Sequence, residues 1–391
     1  MLRVSSLKFA LLEKIGSFYI TKIMGWSEVV IDESSLRNNV RLIRERASGR
    51  KVFAVIKSNA YGHGMVDCAR IIKKEGVENF AVATIDEAVE LREKVDCNSV
   101  LLIGGFVKKE VEEIFGRRVT PVVSNFEQLS YIGEFFRGKI IDRPFEIHLE
   151  FDTGMGRTGF LPSEVVRVKE LIKGMSFLKV TGIMSHFSVA DYMDEDSISY
   201  TNRQIEIFKG ITRYFPGVVR HISNSAGLLF HNALFDAVRV GIAIYGGIKY
   251  PGLREVMHVR TRLVEIKEVP ENWFISYGRT YKTEKRKRIG IASCGYSLGL
   301  WRRFYPGLEV VVRDRRVPVV GVICMDLFVV DLDKVPDADI GDYVYIMGGK
   351  SERISVFELA EKAQTVTYEI FCALGDYCKR NRIVVEDLSA I

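Results

Sequence analysis

The sequence predicts a (β/α)8 barrel followed by a mostly antiparallel β domain. Short apolar runs and amphipathic stretches alternate eight times between residues 52 and 240, the pattern of parallel strands covered by helices. Eight strands in roughly 190 residues suit a closed TIM-type barrel; a doubly wound open sheet is the alternative. Beyond residue 250 alternating patterns dominate, in "RTRLVEIKEV", "RIGIASCGY", "LEVVVRDRRVPVVGVICMDLFVVDL" and "DYVYIMGG". Antiparallel strands with one covered face read this way.

In chain order, residues 1–25 are moderately amphipathic, with Glu13 and Lys14 interrupting the apolar run and no small-residue cleavage site following. They fit a secretory signal poorly and read as an N-terminal arm or as a start-site artefact upstream of Met24. Residues 26–33 hold a strand, expected at 27–31, that pairs with the second domain because it precedes the first barrel helix at 34–46. The barrel domain runs over 34–250. Its strands are expected at 52–56, 80–83, 100–103, 120–123, 145–151, 179–184, 218–222 and 237–240, and its helices include 65–75, 86–94, 125–136, 162–173 and 201–214. The C-terminal β-rich domain covers 251–391, with one helix around 355–374.

Composition narrows the function. A chain of 391 residues suggests two domains. With 47% hydrophobic and 27% charged residues it has an ordinary globular balance. No stretch approaches the apolar length of a membrane span. The basic run Lys282–Arg288, "KTEKRKR", has no interleaved aromatics, so it reads as a solvated hairpin tip and not as a nucleic-acid surface. The six cysteines form no C-x-x-C pair; without a signal segment they imply reduced thiols in the cytoplasm. Neither they nor the six histidines have metal-ligand spacing.

Barrel enzymes carry their chemistry at the C-terminal ends of the strands. In "VFAVIKSNAYGHG" (residues 52–64) Lys57 ends the first strand. A partly desolvated lysine there is usable as a nucleophile or base; a lysine reaching out to water is the plainer reading. The same rim receives Asp152 and Arg157 in "FDTGMGRTGF", His186 in "SHFSVAD", His221, Asn224 and Ser225 in "HISNSAG", and Arg239 before "VGIAIYGG". Ser225 and the amides of Gly241 and Ile242 fall in the loops after strands seven and eight, the usual phosphate pocket of such barrels. A phosphate cup, a reactive lysine and an arginine suit pyridoxal 5′-phosphate held as a Schiff base. Taken singly, Ser225 reads as a helix cap, Gly241 as a turn and His186 as a satisfied core histidine.

These residues resemble the alanine racemase family of fold type III pyridoxal-phosphate enzymes. The similarity rests on "AVIKSNAYGHG", "DTGMGRTGF", "SHFSVAD", "NSA", "RVGIAIYGG", "SYGRTY", "ICMDL" and "TYEI", in that order, from about Trp26 to Arg380. The resemblance implies that Lys57 carries the cofactor and is one catalytic base. It implies that Tyr61, Ser225, the amides of Gly241 and Ile242, and Tyr368 bind the phosphate, with Asn224 in the same motif. Arg239 would face the pyridine nitrogen, and His186 would lie beside the ring. Tyr296, in "SCGYSLG", would be the second base, supplied by the other subunit of a homodimer. Arg157 and the Met325 amide would hold the substrate side, with Glu150, His221 and Asp326 in supporting positions.

The implied chemistry is coherent. Two bases on opposite faces of Cα, Lys57 and Tyr296, exchange its proton directly. A tyrosine base must shed its proton below the free value near 10, and Arg157, Arg239 and the histidines are candidate cations for that. A guanidinium does not release its proton, so an arginine opposite the ring nitrogen weakens the electron sink and discourages transamination. Two positions depart from the family pattern. Glu150 stands where a modified lysine is usual, and it is expected to pair with Arg157. Leu298 stands where an aspartate is usual. The expected substrate is L- or D-alanine, with the product feeding peptidoglycan; the alternatives are a serine or lysine racemase, a pyridoxal-phosphate decarboxylase of basic amino acids, and a non-enzymatic cofactor carrier.

Overall fold

Eight parallel strands run in sequential order around one axis: Lys51–Val55, Asn79–Val82, Ser99–Leu102, Thr120–Val123, Phe145–Glu150, Leu178–Met184, Val219–His221 and Ala237–Val240. They are seen in a computed structural model that describes residues 26–377 and 381–387; the arm expected at 1–25 lies outside the described residues. The eighth strand pairs with the first, placing Arg239 opposite Phe53. Two backbone bonds, Asp236 N to Arg220 O (3.0 Å) and Arg239 N to Ser223 O (2.9 Å), draw the seventh and eighth strands together where no ladder forms. A sequential order has no switch point, so the open-sheet alternative is excluded.

The strands form from continuous apolar runs because both of their faces are covered; in the second to fourth strands every residue after the first is buried. Polar residues in the loops start the helices. Asp32, Asn125 and Asp194 accept from Ser35 N (3.1 Å), Gln128 N (2.9 Å) and Ser197 N (3.0 Å) at the heads of Glu33–Ala47, Phe126–Phe136 and Glu195–Thr212. Each such cap contributes about 1 kcal/mol.

The second domain is organised by the 13-residue strand Met257–Val269. It pairs antiparallel with Glu28–Asp32, Lys287–Ala292 and Tyr343–Gly349, and Glu28–Asp32 runs parallel to Arg382–Val385. The single helix expected at 355–374 is two, Val356–Lys362 and Thr367–Tyr377. The first ends with Thr365 N bonded to Ala360 O (2.9 Å) and Gln364 N to Glu361 O (3.0 Å), while Gln364 takes a φ of 51°. This is a left-handed helix terminus made without the usual glycine. In the basic run, Lys287 pairs with Asp331 and Asp333, Lys285 with Asp333, and Arg286 with Glu268. Among the described residues no helix is long and apolar enough to cross a membrane.

Candidate active site

The turn after the first barrel strand is left-handed. Ser58, Asn59, Ala60 and Tyr61 have φ of 52–55°. L-residues pay no small penalty there, roughly 1–2 kcal/mol each, so the surroundings must hold them. Ala60 N donates to Ile56 O (2.8 Å), Gly62 N to Ser58 O (3.0 Å) and Gly64 N to Asn59 O (2.9 Å). His63 is fully buried; its Nδ1 donates to the carbonyls of Ala60 (3.0 Å) and Tyr61 (3.1 Å), and its ring stacks on Tyr245. Burial holds its pKa at about 3, so it is the neutral imidazole that donates. Gly62 has a φ of 82°, and a Cβ there would strike the backbone of Phe371 and Gly375. The glycine lets the helix Thr367–Tyr377 rest directly on the turn. Lys57 and Tyr61, at its two ends, line one cavity of about 880 Å³.

The floor of that cavity is polar. Arg239, 3% exposed, donates from Nη1 to His221 Nδ1 (2.8 Å) and His221 O (2.9 Å), and from Nη2 to Ser185 O (2.6 Å) and His186 Nδ1 (3.2 Å). A guanidinium only donates, so both Nδ1 atoms accept and the ring protons sit on Nε2. His221 Nε2 then donates to His148 Nδ1 (2.8 Å). Burial, then the Arg239 charge, pushes His186 down to about 3 and His221 well below the ordinary histidine range; burial, then Lys51 and Arg239, pushes His148 to about 3. Arg239 is lowered by burial to about 10, which leaves it charged near neutral pH. The expectation that the histidines supply positive charge is therefore corrected: enclosed beside Arg239, they are neutral spacers that orient it.

Arg157 lines the same cavity from an exposed loop and makes no ion pair among the described residues. Asp152 shapes this loop, its Oδ1 accepting from Gly154 N and Met155 N (both 2.8 Å). The pairing expected between Glu150 and Arg157 is not formed. Glu150 is buried at its strand end and bonds to Thr158; burial raises its pKa, opposed by Thr158, Arg239 and Arg157. The glutamate is too short to follow an arginine that stands out on the rim.

At the other side, Ser225 Oγ accepts from Gly241 N (3.2 Å) and Ala243 N (3.3 Å), and Asn224 Oδ1 caps the helix Ser225–Phe230 through Gly227 N (2.9 Å). The Gly241 amide is thus engaged by Ser225, whereas the Ile242 amide and the Tyr61 hydroxyl have no hydrogen-bond partner among the described residues. A Cβ on Gly241 would collide with that hydroxyl. Tyr368 closes this side at 5.8 Å between ring centroids from Tyr61.

Tyr296, Met325 and Asp326 do not line the cavity. They form a second cluster in the β domain. Tyr296 N donates to Cys324 O (3.1 Å), Ser297 N to Met325 O (3.0 Å), and Ser297 Oγ to Asp326 Oδ1 (2.6 Å). Tyr296 is 37% exposed and Met325 54%. Leu298 packs half-buried against the core.

Residues 31–249 match the family model for the alanine racemase N-terminal domain, and residues 256–382 that for the alanine racemase C-terminal domain. The chain belongs to the alanine racemase family. The alanine racemase of Methylacidiphilum infernorum is 35% identical over 364 residues, covering 91% of this chain and 92% of that protein. That of Aquifex aeolicus is 36% identical over 356 residues, covering 90% and 97%. A crystal structure of alanine racemase from E. faecalis superposes with a TM-score of 0.85 at 30% identity, over 92% of this chain and 98% of that one.

Against this alanine racemase frame, the structure brings Lys57, Tyr61, Glu150, Arg157, His186, Asn224, Ser225, Arg239, Gly241, Ile242 and Tyr368 to one cavity and sets His221 directly behind Arg239. Sequence reasoning missed His148. The signal was parity: His148 and Glu150 lie two apart on one strand, so they share a face.

Proposed function

We propose that this alanine racemase family member interconverts L- and D-alanine using pyridoxal 5′-phosphate held at Lys57. The observation that supports it most is the state of the Lys57 amine. It lines the cavity and has no hydrogen bond or ion pair among the described residues. Burial first, and Arg157 second, hold its pKa below the ordinary lysine value. A lowered pKa favours the neutral amine, the form that attacks an aldehyde.

The donor set fits the cofactor. Tyr61 and the Ile242 amide have unused donors for a phosphate, with Ser225 beside them. Arg239 is charged, buried and lines the same space, for a ring nitrogen. When bound, pyridoxal phosphate supplies an electron sink for the pair left at Cα. Lys57 takes or returns the Cα proton on one face. Tyr296 does so on the other. Arg239 would hold the ring nitrogen, and because a guanidinium keeps its proton it would limit the sink and keep the outcome at proton exchange. Arg157, which has no carboxylate partner among the described residues, takes the substrate carboxylate.

This reading includes a homodimer. Tyr296, Met325, Leu327 and Tyr277 form an exposed apolar group around the Cys324 turn, of the kind that marks an interface. A second copy would bring Tyr296 to the cavity of the first. The free thiols Cys68, Cys97 and Cys324 support a cytoplasmic setting, where D-alanine would feed peptidoglycan. Purified chain given pyridoxal phosphate and L-alanine in D₂O should yield D-alanine deuterated at Cα, read by chiral chromatography and mass. Lys57→Ala should lose both the product and the visible cofactor absorbance. Carbon dioxide release without D-alanine overturns the proposal.

A further inference from the structure

Glu87 is the third residue of the helix Ile85–Lys94, where Thr84 and Glu87 cap each other reciprocally (Glu87 N to Thr84 Oγ1, 3.2 Å; Thr84 N to Glu87 Oε2, 3.4 Å). That local cap needs one carboxylate oxygen. Here Oε2 also accepts from Ala83 N (2.8 Å), at the end of the second barrel strand, and Oε1 reaches back 29 residues to Ser58 N (2.6 Å). Ser58 is the first left-handed residue after Lys57. Its amide is the head of a turn whose conformation is unfavourable for each residue in it, and a charge-assisted bond is about twice as strong as a neutral one.

We propose that Glu87 is a positioning residue for the Lys57 amine: one oxygen pins the turn that follows the lysine, the other pins the neighbouring strand end, and the carboxylate's charge acts on the amine. Burial and Arg157 oppose the cationic amine; Glu87, on its own helix, and Cys372, on Thr367–Tyr377, favour it, and His186 lines the same cavity. Glu87 is the one carboxylate in that set among the described residues. It therefore limits how far the amine's proton affinity falls while holding the turn that aims it. The inference rests on Lys57 being the amine that takes the cofactor.

The test uses the full chain freed of cofactor, with competitive acetylation of Lys57 followed against pH by peptide mass, together with the rate at which bound pyridoxal phosphate is released. Glu87→Gln loses the charge and keeps one acceptor oxygen, which can serve Ser58 N at the expense of the bond from Ala83 N, so the acetylation midpoint moves to lower pH. Glu87→Asp keeps the charge but falls one methylene short of Ser58, so release of pyridoxal phosphate quickens by about tenfold. A Glu87→Gln midpoint at or above the wild-type value overturns the proposal, because a purely structural role does not move it. If Glu87→Gln does not fold, Glu87→Asp decides, and cofactor release no faster than wild type overturns it. Wild-type chain that acetylates at Lys57 but never binds pyridoxal phosphate refutes the cofactor reading instead, and the midpoints still judge Glu87.

Discussion

The barrel mouth and the Tyr296 cluster are built in opposite ways. At the mouth, Arg239 and Ser225 are buried and each makes at least two hydrogen bonds, and the Lys57 turn is locked by His63, Glu87 and the helix laid on Gly62. The Tyr296 cluster is held by backbone bonds to Cys324 and Met325 and by one side-chain bond, Ser297 to Asp326, and leaves the phenol and the methionine exposed. A site that finishes itself must satisfy its polar groups within the chain. On the proposed reading the Tyr296 cluster is finished by a second copy, for which a preset backbone and an exposed surface suffice.

The sharpest way to break this comparison is to inactivate each half separately. Lys57→Ala and Tyr296→Phe should each lower turnover by about two to four orders of magnitude, with cofactor absorbance lost only in the first. Mixed dimers of the two variants should then recover activity, since one of the two sites in a mixed dimer carries both intact groups. Random pairing restores about a quarter of wild-type turnover if sites are shared across a two-fold. No recovery on unfolding and refolding the mixture would show that Tyr296 serves its own chain, or neither.

A smaller effect isolates the mouth alone. In Gly241→Ala the new Cβ meets the Tyr61 hydroxyl, and overpacking of this kind costs about 1–3 kcal/mol. Pyridoxal phosphate affinity, by absorbance titration, should fall by about tenfold or more, while the fluorescence of the β domain and its pairing with a second copy stay as they were. Unchanged affinity would mean that Tyr61 is not part of the phosphate grip.

The strands were legible to within a residue or two because buried parallel strands are plain apolar runs, and the meeting of Lys57, Arg157 and Arg239 at one cavity was legible because the segments after the strands share one end of the barrel. Three things were not. The left-handed turn at Ser58–Tyr61 contains no glycine before Gly62, so nothing local announces it; the turn exists because remote groups hold it. The helix break at Gln364 hides for the same reason. The Glu150–Arg157 pair failed because sequence spacing says that two residues share a rim but not how far each stands from it.

The mildest prediction concerns acid. His63, His148 and His221 are buried and held far below the ordinary histidine value of 6.5, the first two at about 3. Between about 3 and 6.5 the unfolded chain binds more protons at His63 and His148 than the folded chain, and His221 acts in the same direction below 6.5, so stability falls as pH drops through that window, by up to ~1.4 kcal/mol per pH unit for each ring. All three belong to the barrel mouth; the Tyr296 cluster contributes none. In His148→Gln the amide oxygen can still accept from His221 Nε2, so the variant should be about 1 kcal/mol less stable than wild type at pH 7, with the gap narrowing as pH is lowered to 5 because one acid-sensitive ring is gone. Urea unfolding at the two pH values reads this directly. A gap that stays constant would mean that His148 is not held neutral, and that the chain of neutral rings behind Arg239 does not extend past His221.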